Sequence, residues 1–206
     1  MKIIVVLLCA IFATATLARA DEQPTNTGPL SPSEQSFVDT VRIDLLHRFP
    51  RVTDAEKAGY VRYTGIDDTG AVSYADRRWN SDPTHPSQLW YDVSGNLLGA
   101  DFSVPRPHQE ARPVLWGIDA GRWYEFNGHV HYTIVDPSQK KTIYDQWVWN
   151  DDFTAAGGSL SDPSAETLVK LGRVPSATDV GTIFEFPTIW DLVVWVRPHS
   201  AGLLHW

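Results

Sequence analysis

The chain is poor in sulfur: its only cysteine, Cys9, and its only methionine, Met1, both lie near the start. That start has the pattern of an export signal, expected to be cleaved after residue 20. Lys2 supplies a positive n-region, Ile3 to Leu17 an apolar h-region, and Ala18-Arg19-Ala20 a small-x-small cleavage site. The apolar run is too short and too rich in Ala and Thr for a permanent membrane anchor. Leu8 before Cys9 and the scant apolar sequence upstream of it argue against a lipoprotein linkage. A chain beginning near Asp21 has neither thiol nor thioether. Disulfides, a cysteine nucleophile, c-type haem attachment and soft-ligand metal sites are therefore excluded. Any metal has to be held by imidazole and oxygen.

Further absences narrow the function. No Asn-x-Ser/Thr acceptor occurs, which together with the missing cysteines favours a bacterial periplasmic or extracellular protein. The formal net charge is −8 and becomes more negative when Lys2 and Arg19 leave with the signal. No cluster of Lys and Arg interrupts that acidity, which argues against nucleic acid and anionic membranes as partners. There is no Gly-x-Ser-x-Gly elbow, His-Glu-x-x-His helix or calcium loop. Gly157-Gly158 is not followed by Gly-Lys-Ser/Thr, so no nucleotide cofactor is expected.

Aromatic residues are plentiful, with nine Trp, seven Tyr and eight Phe. Each buries on the order of 150–250 Å², and a disulfide-free exported domain needs such a core. Residues 21–30 have no apolar period and are expected to form a flexible leader, with 31–206 as a single globular domain. Ser31, Pro32 and Glu34 give the N-cap, N1 and N3 of a capping box. Phe37, Val38, Val41, Leu45 and Leu46 follow at helical spacing, predicting a helix over about 32–48. A second box, Thr53 to Glu56, opens a short helix that Gly59 ends.

From Tyr60 the pattern changes to strands and turns. Three hairpins are expected, around 67–70, 94–96 and Asn127-Gly128, the last a dipeptide suited to positive φ at both positions. A strand over 142–150 and a helix over about 163–171 follow. Thr188 to Val196 is nearly all β-branched and aromatic, which predicts a strand buried on both faces. The sum is an α+β fold, its N-terminal helix packed on a curved antiparallel sheet built from hairpins, with an open β-barrel as the alternative.

The sharpest constellation is His129-Val130-His131. On a strand, residues i and i+2 share a face, so the two imidazoles point the same way. Neutral imidazole is a ligand for zinc, copper or iron. A two-residue turn at 127–128 would set Phe126 against His129 and Tyr124 against His131. A third ligand is needed, with His85 the first candidate and Asp101, Glu125 and His108 behind it. The same pattern also fits a hairpin whose histidines bond to their neighbours. Trp147 and Trp149 likewise share a strand face and, with Tyr124, could form a stacking groove for a glycan or another small molecule. The alternative is core packing. Asp191, alone in an apolar strand, needs a partner or a raised pKa; Arg77, Arg78 or a histidine is the expected partner. The function expected is that of an exported binding protein with a His-based site for a divalent transition metal, conceivably a metalloenzyme. A non-metal aromatic groove and a structural or assembly role are the alternatives.

Overall fold

The structure is a computed structural model and describes residues 23–106 and 111–197. The signal segment, His108 and the C-terminal residues 198–206 lie outside it. It contains four helices and two antiparallel sheets, and no closed barrel forms among the described residues.

Helix α1 (Pro32–Arg48) starts as its sequence dictates. The Ser31 hydroxyl accepts from the Glu34 N–H at 3.3 Å, and the Glu34 carboxylate accepts from the Ser31 N–H at 2.8 Å. Val38, Val41 and Leu45 are buried, while Leu46 is largely exposed. The short α2 (Val52–Lys57) begins two residues before the expected box, with Asp54 accepting from the Arg51 N–H, and ends ahead of Gly59 at φ +95°.

The larger sheet has the strand order β1-β2-β3-β4-β9-β5. Strands β1 (Val61–Arg62), β2 (Ala71–Ala75), β3 (Gln88–Asp92) and β4 (Leu97–Pro105) form a meander, so two of the expected hairpins are present. Strand β9 (Ile189–Trp195) inserts between β4 and β5 (Tyr124–Phe126), and every one of its residues is buried. Alternation divides its side chains. Trp190, Leu192 and Val194 join Phe102, Leu89 and α1 in the main core. Fully burying such apolar side chains contributes roughly 1.5–3 kcal/mol each, which fixes α1 on that face.

The smaller sheet has the order β7-β6-β8, with β6 (His129–Asp136) between β7 (Lys141–Trp149) and β8 (Val180–Phe186). Val130 and Tyr132 pack with Phe153 of α3 (Asn150–Ala155) and Leu168 of α4 (Ala165–Lys170). Its other face turns towards the larger sheet, where Phe184 and Phe186 meet Tyr63, Ala75 and Ile189.

The expected hairpin at Asn127-Gly128 is not formed. β5 pairs with β9, β6 pairs with β7 and β8, and the dipeptide carries the chain from one sheet to the other. Gly128 is needed for proximity instead of positive φ: a Cβ there would lie 2.5 Å from Asn150 Nδ2 and 3.0 Å from Thr188 Oγ1. Thr188 belongs to the return crossing from β8 to β9, and its hydroxyl accepts from the Gly128 N–H at 3.0 Å. The two crossings therefore form one seam.

Residues 23–30 have no helix or strand and are hydrogen-bonded to the body of the chain. Thr25 and Asn26 donate to the Gly121 carbonyl, and Arg122 donates to the carbonyls of Asn26 and Pro29. Arg122 itself is buried against Glu34 at 3.1 Å. Burial would raise the Glu34 pKa, but hydrogen bonds from Arg122 and from the N–H groups of Ser31 and Asp119 outweigh it and hold it at about 2.

Candidate functional site

The two sheets enclose a cleft of about 600 Å³. Strand alternation builds it. On the larger sheet the residues facing away from α1 include Gln88, Trp90, Asp101, Tyr124, Val193 and Trp195; on the smaller sheet they include His129, His131, Trp147, Trp149 and Phe186. Of the residues expected at a site, His129, His131, Tyr124, Trp147, Trp149 and the further ligand candidate Asp101 line this one cavity. His129 stands opposite Trp149 and His131 opposite Trp147 in the β6–β7 register.

His85 is elsewhere. Its Nε2 lies 2.6 Å from Asp76 Oδ2 and its ring stacks on Tyr60 at 6.5 Å. Asp76 belongs to a separate groove of about 660 Å³, more open and more polar than the cleft. The reason is local: His85 follows the Asp82 turn, whose carboxylate caps Thr84, and the loop lies on the β2 end occupied by Asp76 and Arg78. Glu125 is engaged by Arg106 and Asp101 lies on the facing sheet. Among the described residues no three His, Cys, Asp or Glu side chains are grouped to hold a metal ion.

The imidazoles themselves are close, with ring centroids 4.6 Å apart. The carbonyl of Asn127 accepts from His129 Nδ1 at 2.7 Å, so that nitrogen carries the proton. The His129 ring stacks on Phe186 at 4.8 Å and 12°. His131 is packed edge-on to Tyr63 at 4.8 Å and stacked on Phe184. Burial, reinforced by the neighbouring His129, lowers its pKa to about 3, so it is a neutral ring at physiological pH. Its Nδ1 has no hydrogen-bond partner.

The floor is carboxylic. Trp90 Nε1 donates to Asp101 Oδ1 at 2.7 Å. Asp191 receives two neutral donors instead of the expected cation: Ser103 Oγ at 2.9 Å and the Tyr124 hydroxyl at 2.7 Å. Register dictates this, because Ser103 and Tyr124 are its direct partners on the two adjacent strands, while Arg78 is committed to Asp76. Asp101 and Asp191 are diagonal neighbours on one sheet face, both fully buried. Burial raises both pKa values, and the charge of Asp191 pushes Asp101 up further.

The mouth is formed by Thr64, Asp67, Asp68, Thr69 and Asp145. Asp145 sits at φ +59° beside the β6–β7 register shift, and its carboxylate accepts from the Gly65 N–H at 2.6 Å. That bond joins the smaller sheet to the β1 end of the larger one. Trp147 projects to the surface and is 44% exposed.

The signal for the floor lay in polar residues at every second position of otherwise apolar strands: Asp101 and Ser103 in β4, Asp191 in β9. Trp90, Trp195 and Phe186 had no comparable signal. Architecture and cavity together define an α+β protein with an aromatic cleft between two open sheets. No protein-family model matches the chain, and neither a curated protein nor a solved structure similar to it was found.

Proposed function

We propose that this chain is an exported binding protein for a small, flat organic molecule held between its two sheets. One observation carries this reading: a cavity of about 600 Å³ whose walls include four indoles with polar groups set among them. Ligand sites in general are concave, largely apolar and of this size, with a few polar groups that orient the occupant. Trp147 and Trp149, packed edge to face at 4.6 Å and 64°, offer indole surface for stacking, and Asp101 with the His129–His131 pair offers the polar contacts. The test is tryptophan fluorescence against a panel of planar heterocycles, phenols and glycosides, with Trp147→Ala as the comparison. Loss of that ring is expected to weaken binding about tenfold, because a stacked aromatic is worth on the order of 1 kcal/mol or more. Failure of the whole panel to perturb the indoles would sink the proposal. Export rests on residues 1–20, and a secreted or periplasmic product starting near Asp21 by mass spectrometry is its check.

A second reading places a zinc, copper or iron ion on His129 and His131. Their 4.6 Å separation supports it, as does the Nδ1–H of His129 being held by a backbone carbonyl, the common arrangement behind an Nε2 ligand. Water or the bound molecule would have to complete the coordination. Elemental analysis of untagged protein before and after a His129→Ala/His131→Ala change decides it; no metal retained after exposure to all three ions rejects it.

A further inference from the structure

Carboxyls outnumber imidazoles in the cleft by four to two. Asp101 lies in its floor, and Asp67, Asp68 and Asp145 stand at its mouth, but neither lysine nor arginine lines it. Among the described residues no cation pairs with any of these four carboxyls. The arginines nearby in sequence are used otherwise: Arg62 stacks on Tyr144 at 4.2 Å and donates to the Thr64 carbonyl. The mouth carboxylates have partial structural roles, since Asp67 caps its own turn through Thr69 and Ala71, and Asp145 holds Gly65. Asp68 makes no such bond, and capping a turn leaves the negative charge in place.

Between mouth and floor the walls are aromatic: Trp90, Trp195, Trp147, Trp149, Tyr63 and Phe126. Aromatic faces are negative and attract cations, most strongly when water is excluded. His131 adds an independent sign of a missing partner. It is 7% exposed, lines the same cavity, and its Nδ1 is unsatisfied, whereas buried polar atoms ordinarily find a partner.

Building on the cleft-binding reading above, we propose that the occupant is an organic cation, an aryl or alkyl ammonium whose charge sits among the indoles inside the mouth carboxylates of Asp67, Asp68 and Asp145. Each feature selects in the same direction. The mouth carboxylates raise the local concentration of cations and repel anions. The rings alone suffice for a quaternary ammonium, whereas a protonated amine also brings the N–H that the unsatisfied His131 Nδ1 lacks. A free carboxylate or phosphate finds no lysine or arginine inside. The overall negative charge of the chain works in the same sense.

The experiment uses the full exported chain and three probes of nearly equal shape: phenyltrimethylammonium, its neutral isostere tert-butylbenzene, and benzoate as the anion. Affinities are read from tryptophan fluorescence and calorimetry at two salt concentrations. The cation is expected to bind at least about tenfold tighter than the isostere, with affinity falling as salt rises. Asp68→Asn, a surface change without a hydrogen bond to lose, is expected to weaken the cation about two- to fivefold and leave tert-butylbenzene unchanged. Equal or tighter binding of the isostere or of benzoate overturns the cation assignment and leaves the cleft as a binding site. Silence from all three probes, with the wider neutral panel also silent, overturns both.

Discussion

Tyr124 and Asp191 face one another across adjacent strands of one sheet, and the phenol donates to the carboxyl at 2.7 Å. The bond lies behind the cavity floor, so the acid that borders Asp101 is held by neutral donors. Two carboxyls thus share a buried space without a countercharge.

Stability is expected to fall as pH rises through this pair. The folded Asp191 has its pKa raised to about 6 by burial, above its unfolded value, so it favours the folded state below the unfolded pKa and loses that advantage as pH climbs. At 1.36 kcal/mol per unit the effect is on the order of 3 kcal/mol, and Asp101 adds to it in the same direction. Asp191→Asn removes the ionisation. Chemical denaturation at pH 4.5 and pH 8 should show the variant gaining on the parent at the higher pH; a constant difference would contradict the buried-acid account.

His131 acts in the opposite sense. Its folded pKa is depressed to about 3, so the unfolded chain takes up a proton between about 6.5 and 3 while the folded one does not. The ring therefore contributes stability above pH 6.5 that is lost as pH falls through this window. Nitrogen NMR should find the His131 ring neutral from pH 8 to pH 5. A midpoint near 6.5 would show it to be hydrated.

Gly99 is predicted to be intolerant of alanine. A Cβ there would lie 2.8 Å from Trp195 Cε3 and 2.9 Å from the Val194 carbonyl. Trp195, which packs near Trp90 at 6.3 Å and walls the cleft, would have to move. Overpacking of this kind costs typically 1–3 kcal/mol. Gly99→Ala should lower the denaturation midpoint and alter the near-ultraviolet indole signal together.

Arg122→Ala should destabilise by about 3–5 kcal/mol, because it strands the buried Glu34 carboxylate. It also removes the donors to Asn26 and Pro29, so protease cleavage within residues 23–30 should accelerate. Adding Glu34→Leu to Arg122→Met should recover much of the stability, whereas additive losses would argue against a mutual pair.

The parts of this fold that were legible are those decided locally. The Ser31–Glu34 box and the spacing of Val38, Val41 and Leu45 suffice for α1, and Asp92 with Gly95 suffices for the β3–β4 turn. The apolar run of β9, broken by Asp191 alone, announced burial on both faces. What misled was Asn127-Gly128, a favourable hairpin dipeptide whose fate is set by Tyr124 pairing with Asp191 far along the chain. Tertiary pairing overrode turn preference. The site divides the same way: a shared face for His129 and His131, and for Trp147 and Trp149, follows from strand period alone. That His85 joins Asp76 while Asp101 and Trp195 join the cleft depends on which sheets face each other. No short window holds that information.

The seam at Gly128 and Thr188 also has a consequence in time. The smaller sheet is spun from a continuous stretch that interrupts the larger one, and β9 returns only after that stretch is complete. The long loop closures for β4–β9 and β5–β9 pairing therefore wait until β9 has left the ribosome. Until β9 arrives, β4 is an unpaired edge and Asp101 has no acidic neighbour. In a nascent chain the cleft between the sheets is complete only once β9 has been made.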